Sequence, residues 1–310
     1  MTQKQIEKTD ISNNRASLTR FAWLSIGAAV LTIGLKSGAY FLTGSVGLLS
    51  DAIESGVNLV AAIMALGMLT VAAWPADKSH MYGHSKAEYF ASSVEGILIL
   101  VAAGGIIFTA AQRLVNPKEL EQVGVGLIVS ISASLINLAV AQILLRVGKK
   151  NNSITLEADA HHLMTDVWTS VGVVAAIGVV ALTGWLILDP IIAIAVGLNI
   201  IWTAYQLLRR SVAGLMDASL PPEDQKLIEE VIAKYRKKNV QFHALRTRQS
   251  ASRRFVSVHV LVPGKWTVHD AHHVADNFES DIRMVLSDSI VHTQLEPIDD
   301  EISMKDVNDK

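Results

Sequence analysis

The stretch EADAHHLMTDVWTS at residues 157–170 runs directly into VGVVAAIGVVALTG at residues 171–184. Carboxylates and two imidazoles therefore lie at the N-terminal end of a long apolar segment. A helix that crosses a membrane needs about 20 mostly apolar residues, and the segment 154–183 meets that length. Ionisable groups inside such a helix are costly, so they indicate a functional site.

The composition excludes several classes of protein. Hydrophobic residues make up 50% of the 310 residues and the formal net charge is −2, so no excess of basic charge points to nucleic acid. The chain has no cysteine, which excludes disulfides, thiolate zinc sites and cysteine nucleophiles. Any transition-metal site must therefore use the histidines and the carboxylates.

Six stretches have the length and apolar character of membrane-spanning helices. They cover residues 18–42, 45–74, 87–115, 122–147, 154–183 and 186–209. We predict an all-α six-helix transmembrane bundle over residues 17–210. A polar segment at residues 1–16 precedes it and lacks the apolar core of a signal peptide.

The character of the chain changes after Arg210. Charged amphipathic and alternating patterns predict helix 222–238, strands 241–249 and 254–262, helix 267–286 and strand 290–296. We therefore predict a soluble α+β domain over residues 211–297, followed by a disordered polar tail at 298–310.

Basic residues near the ends of the spans predict the orientation in the membrane. On one side they are Arg15, Arg20, Lys78, Lys86, Arg146, Lys149, Lys150, Arg209 and Arg210. The loops on the other side carry only Lys118. We expect a multi-pass protein of the cell's inner (plasma) membrane, with both termini and the soluble domain in the cytoplasm.

Two of the predicted spans carry polar groups on one helical face. His162 and Asp166 are four residues apart on the fifth span, and residues at that spacing lie on the same face. The second span holds a similar set at spacings of three and four. The predicted metal ligands are Glu54, Asn58, His162 and Asp166. Asp51 is a further ligand, a partner of a ligand or a proton carrier, and the alternative for the whole set is hydrogen bonding between helices.

These features together resemble the cation diffusion facilitator family over residues 15–297. The resemblance rests on TGSVGLLSDAIES at residues 43–55, the HxxxD pattern of the fifth span, the six spans and the small C-terminal domain. It implies a proton-coupled exporter of divalent transition metals, with a ferredoxin-like, metallochaperone-like cytoplasmic domain. The family usually has Asp-x-x-x-Asp or His-x-x-x-Asp on the second span, where this chain has Glu54 and Asn58.

A second metal site is predicted on the loop between the second and third spans. Asp77, His80 and His84 have spacings that one turn of helix would gather, and they resemble an accessory site of the family. The alternative is a solvated loop with incidental histidines. The resemblance also implies that Lys86 and Asp217 form an ion pair between subunits near a dimer interface.

A third metal site is predicted in the soluble domain. Strand alternation places His259 on the face opposite Val258 and Val260. The candidate ligands are His243, His259, His272, His292 and Glu296. The family commonly has a histidine two residues before the last carboxylate, where this chain has Gln294, so the site is shifted or holds one metal. The alternative is a polar solvated face with unused histidines.

The predicted function is divalent-metal/proton antiport by a homodimer rather than catalysis. Ligands must lose protons to bind a metal, so metal binding at His162 releases protons. The resemblance favours zinc as the cation, whereas the hardness of the ligand set favours manganese or iron(II), with cobalt also open. We expect this cation, protons and the lipid bilayer as the partners of the chain.

Two other classes of function would use some of the same residues. An intramembrane metalloenzyme needs an open position on the metal and a general base, which Glu54 or Asp51 would supply. The sequence contains no HExxH and no nucleophile motif to support it. A metal sensor that does not transport would need only the soluble domain, and the ligands within the spans argue against it.

Overall fold

The computed structural model describes residues 3–43, 46–115, 123–183, 187–236 and 239–303. Some side chains within these ranges are outside the description, including those of Asp51, Glu54 and Asn58. The chain divides into two compact units, Met1–Val212 and Ala213–Lys310.

Long helices build the first unit. They are α1 (Gln3–Thr43), α2 (Val46–Ala72), α3 (Ala87–Val115), α4 (Val123–Asn151), α5 (Ile154–Thr183) and α6 (Leu188–Leu215). The first helix begins at Gln3 rather than at residue 18, so most of the polar segment 1–16 is helical. The Gln, Lys and Glu residues at its start are good helix formers, which explains this extension.

The first unit has the surface of a membrane domain. Four described segments are long and apolar enough to cross a membrane: Leu18–Phe41, Ala87–Val115, Ile131–Asn151 and Pro190–Leu215. A shorter apolar helix covers Leu59–Ala72. Large apolar side chains such as Phe41, Val101 and Trp202 are exposed on these helices, as expected where a helix faces lipid. The count of six spans stays a prediction.

The start of α5 is held by its neighbours α3 and α4. Oγ of Ser153 donates a hydrogen bond of 2.5 Å to Oε2 of the buried Glu88 on α3. A Cβ atom at Gly148 would lie 3.0 Å from Glu157, so the glycine lets the end of α4 approach the start of α5. Arg210 of α6 forms an ion pair with Glu157. These contacts fix where the polar part of α5 sits in the bundle.

The second unit is a small α+β domain. Its elements are α7 (Pro222–Arg236), β1 (Gln241–Ser250), β2 (Arg253–Val262), α8 (Val268–Val285) and β3 (Ser289–Pro297), in the predicted order. The sheet has the order β1-β2-β3, with β1 antiparallel and β3 parallel to β2. Val258 and Val260 of β2 pack with Phe278 and Ile282 of α8 in the core, and all four are fully buried.

The chain after β3 differs from the predicted disordered tail. The N–H group of Ile298 donates to the carbonyl of Val262 at 2.9 Å. Oδ1 of Asp299 accepts a hydrogen bond of 2.9 Å from the N–H group of Gly264. These bonds order the chain through Ser303, which is 7% exposed. Residues 304–310 lie outside the described residues.

Candidate metal sites

His162 and Asp166 lie buried on one face of α5, with 5% and 8% of their surfaces exposed. Nδ2 of Asn137 on α4 donates a hydrogen bond of 3.0 Å to Oδ2 of Asp166, and Asn137 is 2% exposed. An outer partner of this kind fixes the orientation of a ligating carboxylate. An imidazole and a carboxylate one turn apart on a helix are ligand types that one transition-metal ion binds together.

The other predicted ligands of this site, Glu54 and Asn58, lie on α2 together with Asp51. Their side chains are outside the described part of the structure. Their helix packs against α5, and their spacings place them on one face of it. The complete ligand set therefore stays a prediction.

Sequence reasoning missed Asn137. The available signal was an amide in the apolar segment SLINLAVAQ at residues 134–142, because a polar side chain inside a membrane helix needs a partner. Spacing along α4 identifies no such partner, since the partner, Asp166, is on another helix.

His161 points away from His162, as its position one residue earlier on a helix predicts. It lines a cavity of about 250 Å³ together with Gln142 of α4, Thr165 of α5 and Asn199 of α6. The two adjacent histidines therefore have different surroundings.

The loop residues Asp77, His80 and His84 come together as predicted, but no helical turn gathers them. Their ligand atoms all lie within 4.8 Å of one another. Nδ1 of His80 is 3.4 Å from Oδ1 of Asp77, and Nε2 of His84 is 3.6 Å from Oδ2. The loop turns back at Gly83, whose φ of 82° favours glycine, and the three residues come together there without a helical turn.

Asp77 is held in place by backbone donors. Its Oδ1 atom accepts hydrogen bonds from the N–H groups of His80 at 2.6 Å and Ser79 at 2.8 Å. The bond from His80 is the main cause that lowers the pKa of Asp77 below its ordinary value. Asp77 therefore stays ionised near neutral pH, as a metal ligand must be.

The predicted ion pair between Lys86 and Asp217 concerns two subunits and stays a prediction. Lys86 lies in the turn before α3. Asp217 follows α6 and accepts a hydrogen bond of 3.0 Å at its Oδ1 atom from Nη1 of Arg248 in its own chain.

His243, His259 and Glu296 form a compact group across the three strands of the second unit. His243 and His259 are register partners on β1 and β2. Nε2 of His243 is 2.8 Å from Oε2 of Glu296, and Nδ1 of His259 is 3.0 Å from Oε1. The side chains are only 12%, 15% and 12% exposed in the order His243, His259, Glu296. Two imidazoles and one carboxylate with ligand atoms within 4.8 Å suit zinc and similar ions.

The other two predicted ligands of this domain lie apart from the group. His272 on α8 and His292 on β3 are exposed, and the compact group found among the described residues does not include them. Sequence reasoning also missed what Gln294 does. Its Nε2 atom donates a hydrogen bond of 2.8 Å to Oε1 of Glu296, so it holds the carboxylate in place.

Comparison with known proteins finds a family match for each of the two units. Residues 22–216 match the family described as the cation efflux transmembrane domain, and residues 220–298 match the cation efflux protein, cytoplasmic domain. An uncharacterized transporter of Synechocystis sp. is 52% identical, with 90% of each chain covered. The cation-efflux pump FieF of Escherichia coli O127:H6 is 31% identical, and that of Klebsiella pneumoniae subsp. pneumoniae is 30% identical. Both alignments cover 89% of this chain and 92% of the relative.

The apolar helices, the buried pair on α5 and these matches agree with one another. The relatives with named activities are cation-efflux pumps rather than enzymes. The chain therefore belongs to the cation diffusion facilitator family of membrane cation-efflux transporters.

Proposed function

We propose that this transporter exports a divalent transition-metal ion from the cytoplasm in exchange for protons, as a homodimer in the cell's inner membrane. The observation that supports this most directly is the buried pair of His162 and Asp166, with Asn137 bound to the carboxylate. An imidazole and a carboxylate on one helical face are a proton-binding pair as well as a metal-binding pair.

Exchange follows from the chemistry of these ligands. A metal ion binds only a neutral imidazole and an ionised carboxylate, so its arrival from the cytoplasm releases protons. When the bundle opens to the far side, protons there compete for His162 and Asp166 and displace the metal. An inward proton gradient then drives metal outward. Glu54 and Asn58 complete the ligand set in this proposal, and Asp51 lies about one turn before Glu54 on α2.

The two sites outside the spans are proposed to bind the same kind of ion without transporting it. Asp77, His80 and His84 form one site and His243, His259 and Glu296 the other, because each group brings three ligand atoms together. The match of residues 220–298 to the family's cytoplasmic domain supports dimerisation through the second unit.

Zinc is the proposed cation, since His162 suits zinc and the two sites outside the spans combine imidazole with carboxylate. Manganese, iron(II) and cobalt are the alternative cations. Oxygen ligands from Glu54 and Asn58 are hard ligands in the chemical sense, and such ligands suit these ions.

A flux assay tests the proposal. The purified protein is reconstituted into vesicles that contain a metal-sensitive dye and a pH-sensitive dye, and each of the four metals is added outside. We expect metal entry coupled to proton exit, so the vesicle interior should become more alkaline as the metal enters and should not change pH in vesicles that lack the protein. Metal entry without proton exit contradicts the antiport mechanism, and the absence of metal flux contradicts transport of these ions.

A further inference from the structure

A second buried polar cluster lies where three helices of the first unit meet. It consists of Ser25 on α1, Glu95 on α3 and Asp159 on α5, which are 1%, 0% and 1% exposed. Oγ of Ser25 donates a hydrogen bond of 3.0 Å to Oδ1 of Asp159. None of these residues belongs to the three metal sites above.

The hydroxyl group of Ser25 is the one hydrogen-bond donor to these two carboxyl groups in the part of the chain that the structure describes. Among the described residues, neither carboxyl oxygen of Glu95 has a hydrogen-bond partner, and Oδ2 of Asp159 has none. The charge of Asp159 on α5 acts on Glu95. An ionised carboxylate that is buried without a partner is very unfavourable, and two neighbouring ones are worse still. At least one of the two groups must therefore hold a proton.

Charged groups on the helices α4 and α6 act on residues outside this cluster. On α6, Arg210 pairs with Glu157. On α4, the charge of Lys149 acts on His161. Within the described structure, Asp159 is the one titratable group whose charge acts on Glu95.

The remaining charged groups near the cluster are distant or engaged elsewhere. Lys36 of α1 is eleven residues from Ser25, which is about 16 Å along a helix. Arg20 of α1 is exposed and stacks over Phe21. The other carboxyl group of α3, at Glu88, accepts a hydrogen bond from Ser153. On α2, the side chains of Asp51 and Glu54 lie outside the described part of the structure.

We infer that Glu95 and Asp159 share one proton and form a second proton-binding site of this transporter. The inference rests on the proposed function and orientation. Asp159 precedes His162 by three residues, about 4.5 Å along the axis of α5, and lies on its cytoplasmic side. A divalent ion bound at His162 stabilises a negative charge on a side chain one helical turn away, because the surroundings have a low dielectric constant.

The exchange at this pair is a simple proton transfer. When a metal ion binds at His162, the O–H bond of the protonated carboxyl group breaks. The proton passes to water on the cytoplasmic side, and the carboxylate keeps the electron pair. When the metal leaves, a proton taken up from the far side restores the neutral carboxyl group. The pair of Glu95 and Asp159 thus adds one proton to those released at the metal ligands.

A proton suits this cluster better than a metal ion does. Ser25, Glu95 and Asp159 offer no imidazole, which most transition-metal sites use. Calcium needs six to eight oxygen ligands, more than two carboxyl groups and one hydroxyl supply. Sharing a proton needs only the two carboxyl groups.

The test counts protons released per bound zinc ion. Purified full-length protein in detergent and weak buffer near pH 7 is titrated with zinc while a pH dye reports proton release. We expect Glu95→Gln and Asp159→Asn each to release about one proton fewer per chain at saturation than the wild type. The double variant should release as many protons as either single variant, because the pair titrates as a unit. The number of zinc ions bound should not change.

Glu88→Gln is the matched control on the same helix. Its amide oxygen can still accept the hydrogen bond from Ser153, so the proton count should equal that of the wild type. Size exclusion and thermal melting verify that each variant is folded. An equal proton count in the wild type and Glu95→Gln overturns the inference. Loss of a bound zinc ion in Glu95→Gln also overturns it, because the pair would then be a metal site.

Infrared spectroscopy tests the pair without any transport. The metal-free wild type should show the C=O stretch of a buried protonated carboxyl group, which Glu95→Gln weakens and Glu88→Gln does not. Absence of this band from the wild type overturns the inference even where a variant fails to fold. Metal flux without proton counterflow in wild-type vesicles would instead contradict the proposed antiport, and the band would still report on the pair.

Discussion

Nδ2 of Asn137 lies 3.0 Å from Oδ2 of Asp166, and this hydrogen bond joins α4 to α5 inside the bundle. Both side chains are buried. A carboxylate held by an amide donor keeps one rotamer, so a cation meets Asp166 already oriented. The bond links the packing of two helices to the geometry of the proposed transport site.

Replacing Asn137 by Leu should weaken metal transport without unfolding the protein. The substitution keeps most of the volume but removes the donor to Asp166. Loss of such an outer partner typically costs 10–100-fold in metal affinity, so we expect KM for zinc to rise by about that factor. The control is Gln142→Leu, an exposed position on the same helix. An unchanged KM in Asn137→Leu would show that the bond does not orient a ligand.

His162→Ala and Asp166→Ala should each abolish metal-coupled proton flux while the protein remains folded. Both residues lie on the buried face of α5, and we expect no other group on that helix to replace them. His161→Ala is the control, since His161 points away from His162 and lines the cavity next to Gln142 and Asn199. Flux is measured in vesicles and folding by size exclusion. Wild-type flux from folded Asp166→Ala would contradict the assignment of the site.

Asn58 should influence which metal is transported. Asn58→His adds an imidazole, which suits zinc, so preference should move from manganese or iron(II) towards zinc. Asn58→Asp adds a third carboxylate to Glu54 and Asp166, and like charges raise one another's pKa. We expect tighter binding above about pH 7 and greater sensitivity to acid. Both effects are measured by the uptake of zinc, manganese, iron(II) and cobalt at pH 6 and pH 8. Identical results for the wild type, Asn58→His and Asn58→Asp would exclude Asn58 as a ligand.

The second unit should bind metal on its own. Its buried core lies within residues 220–291, so we expect the fragment 211–310 to fold by itself and to be soluble. The match to the family's cytoplasmic domain leads us to expect a dimer. Zinc at 100 times its Kd stabilises a protein by about 2.7 kcal/mol. For a domain of this size, that corresponds to a rise in Tm of roughly 10–20 °C.

Glu296→Gln tests whether the group on the sheet is the site responsible. The substitution removes the carboxylate that contacts His243 and His259, so it should remove most of the zinc-dependent rise in Tm. His272→Ala, on the exposed surface of α8, should leave that rise intact. Calorimetric titration of the fragment gives the affinity, and Kd values weaker than about 1 mM would rule out a physiological site.

Alkaline pH should destabilise the same fragment through Tyr235, its only tyrosine. Burial is the main cause that raises the pKa of Tyr235 to about 12, with the hydrogen bond to Asp281 as a second cause. In the unfolded chain the tyrosine side chain ionises near pH 10. The stability that the neutral phenol contributes is therefore present below pH 10 and is lost as pH rises towards 12. Phenolate absorbance should therefore have a higher midpoint in the folded than in the unfolded fragment. Equal midpoints would contradict this.

The sequence alone determined the position of most helices and strands and which of their residues share a face. Apolar length located the long helices, and a spacing of four placed His162 and Asp166 on one side of α5. Alternation along β2 placed Val258 and Val260 in the core and His259 on the other face. These predictions succeed because the period of a helix or strand is a local property of the backbone.

Only the tertiary structure decided which faces meet. The bond from Asn137 to Asp166, the bond from Ser25 to Asp159 and the contact of His243 with Glu296 join residues that no local spacing relates. In a membrane, helices associate through close packing and polar contacts rather than through exclusion of water. The rotation of each helix about its axis therefore depends on its neighbours, and that rotation decided which buried carboxyl groups have a partner.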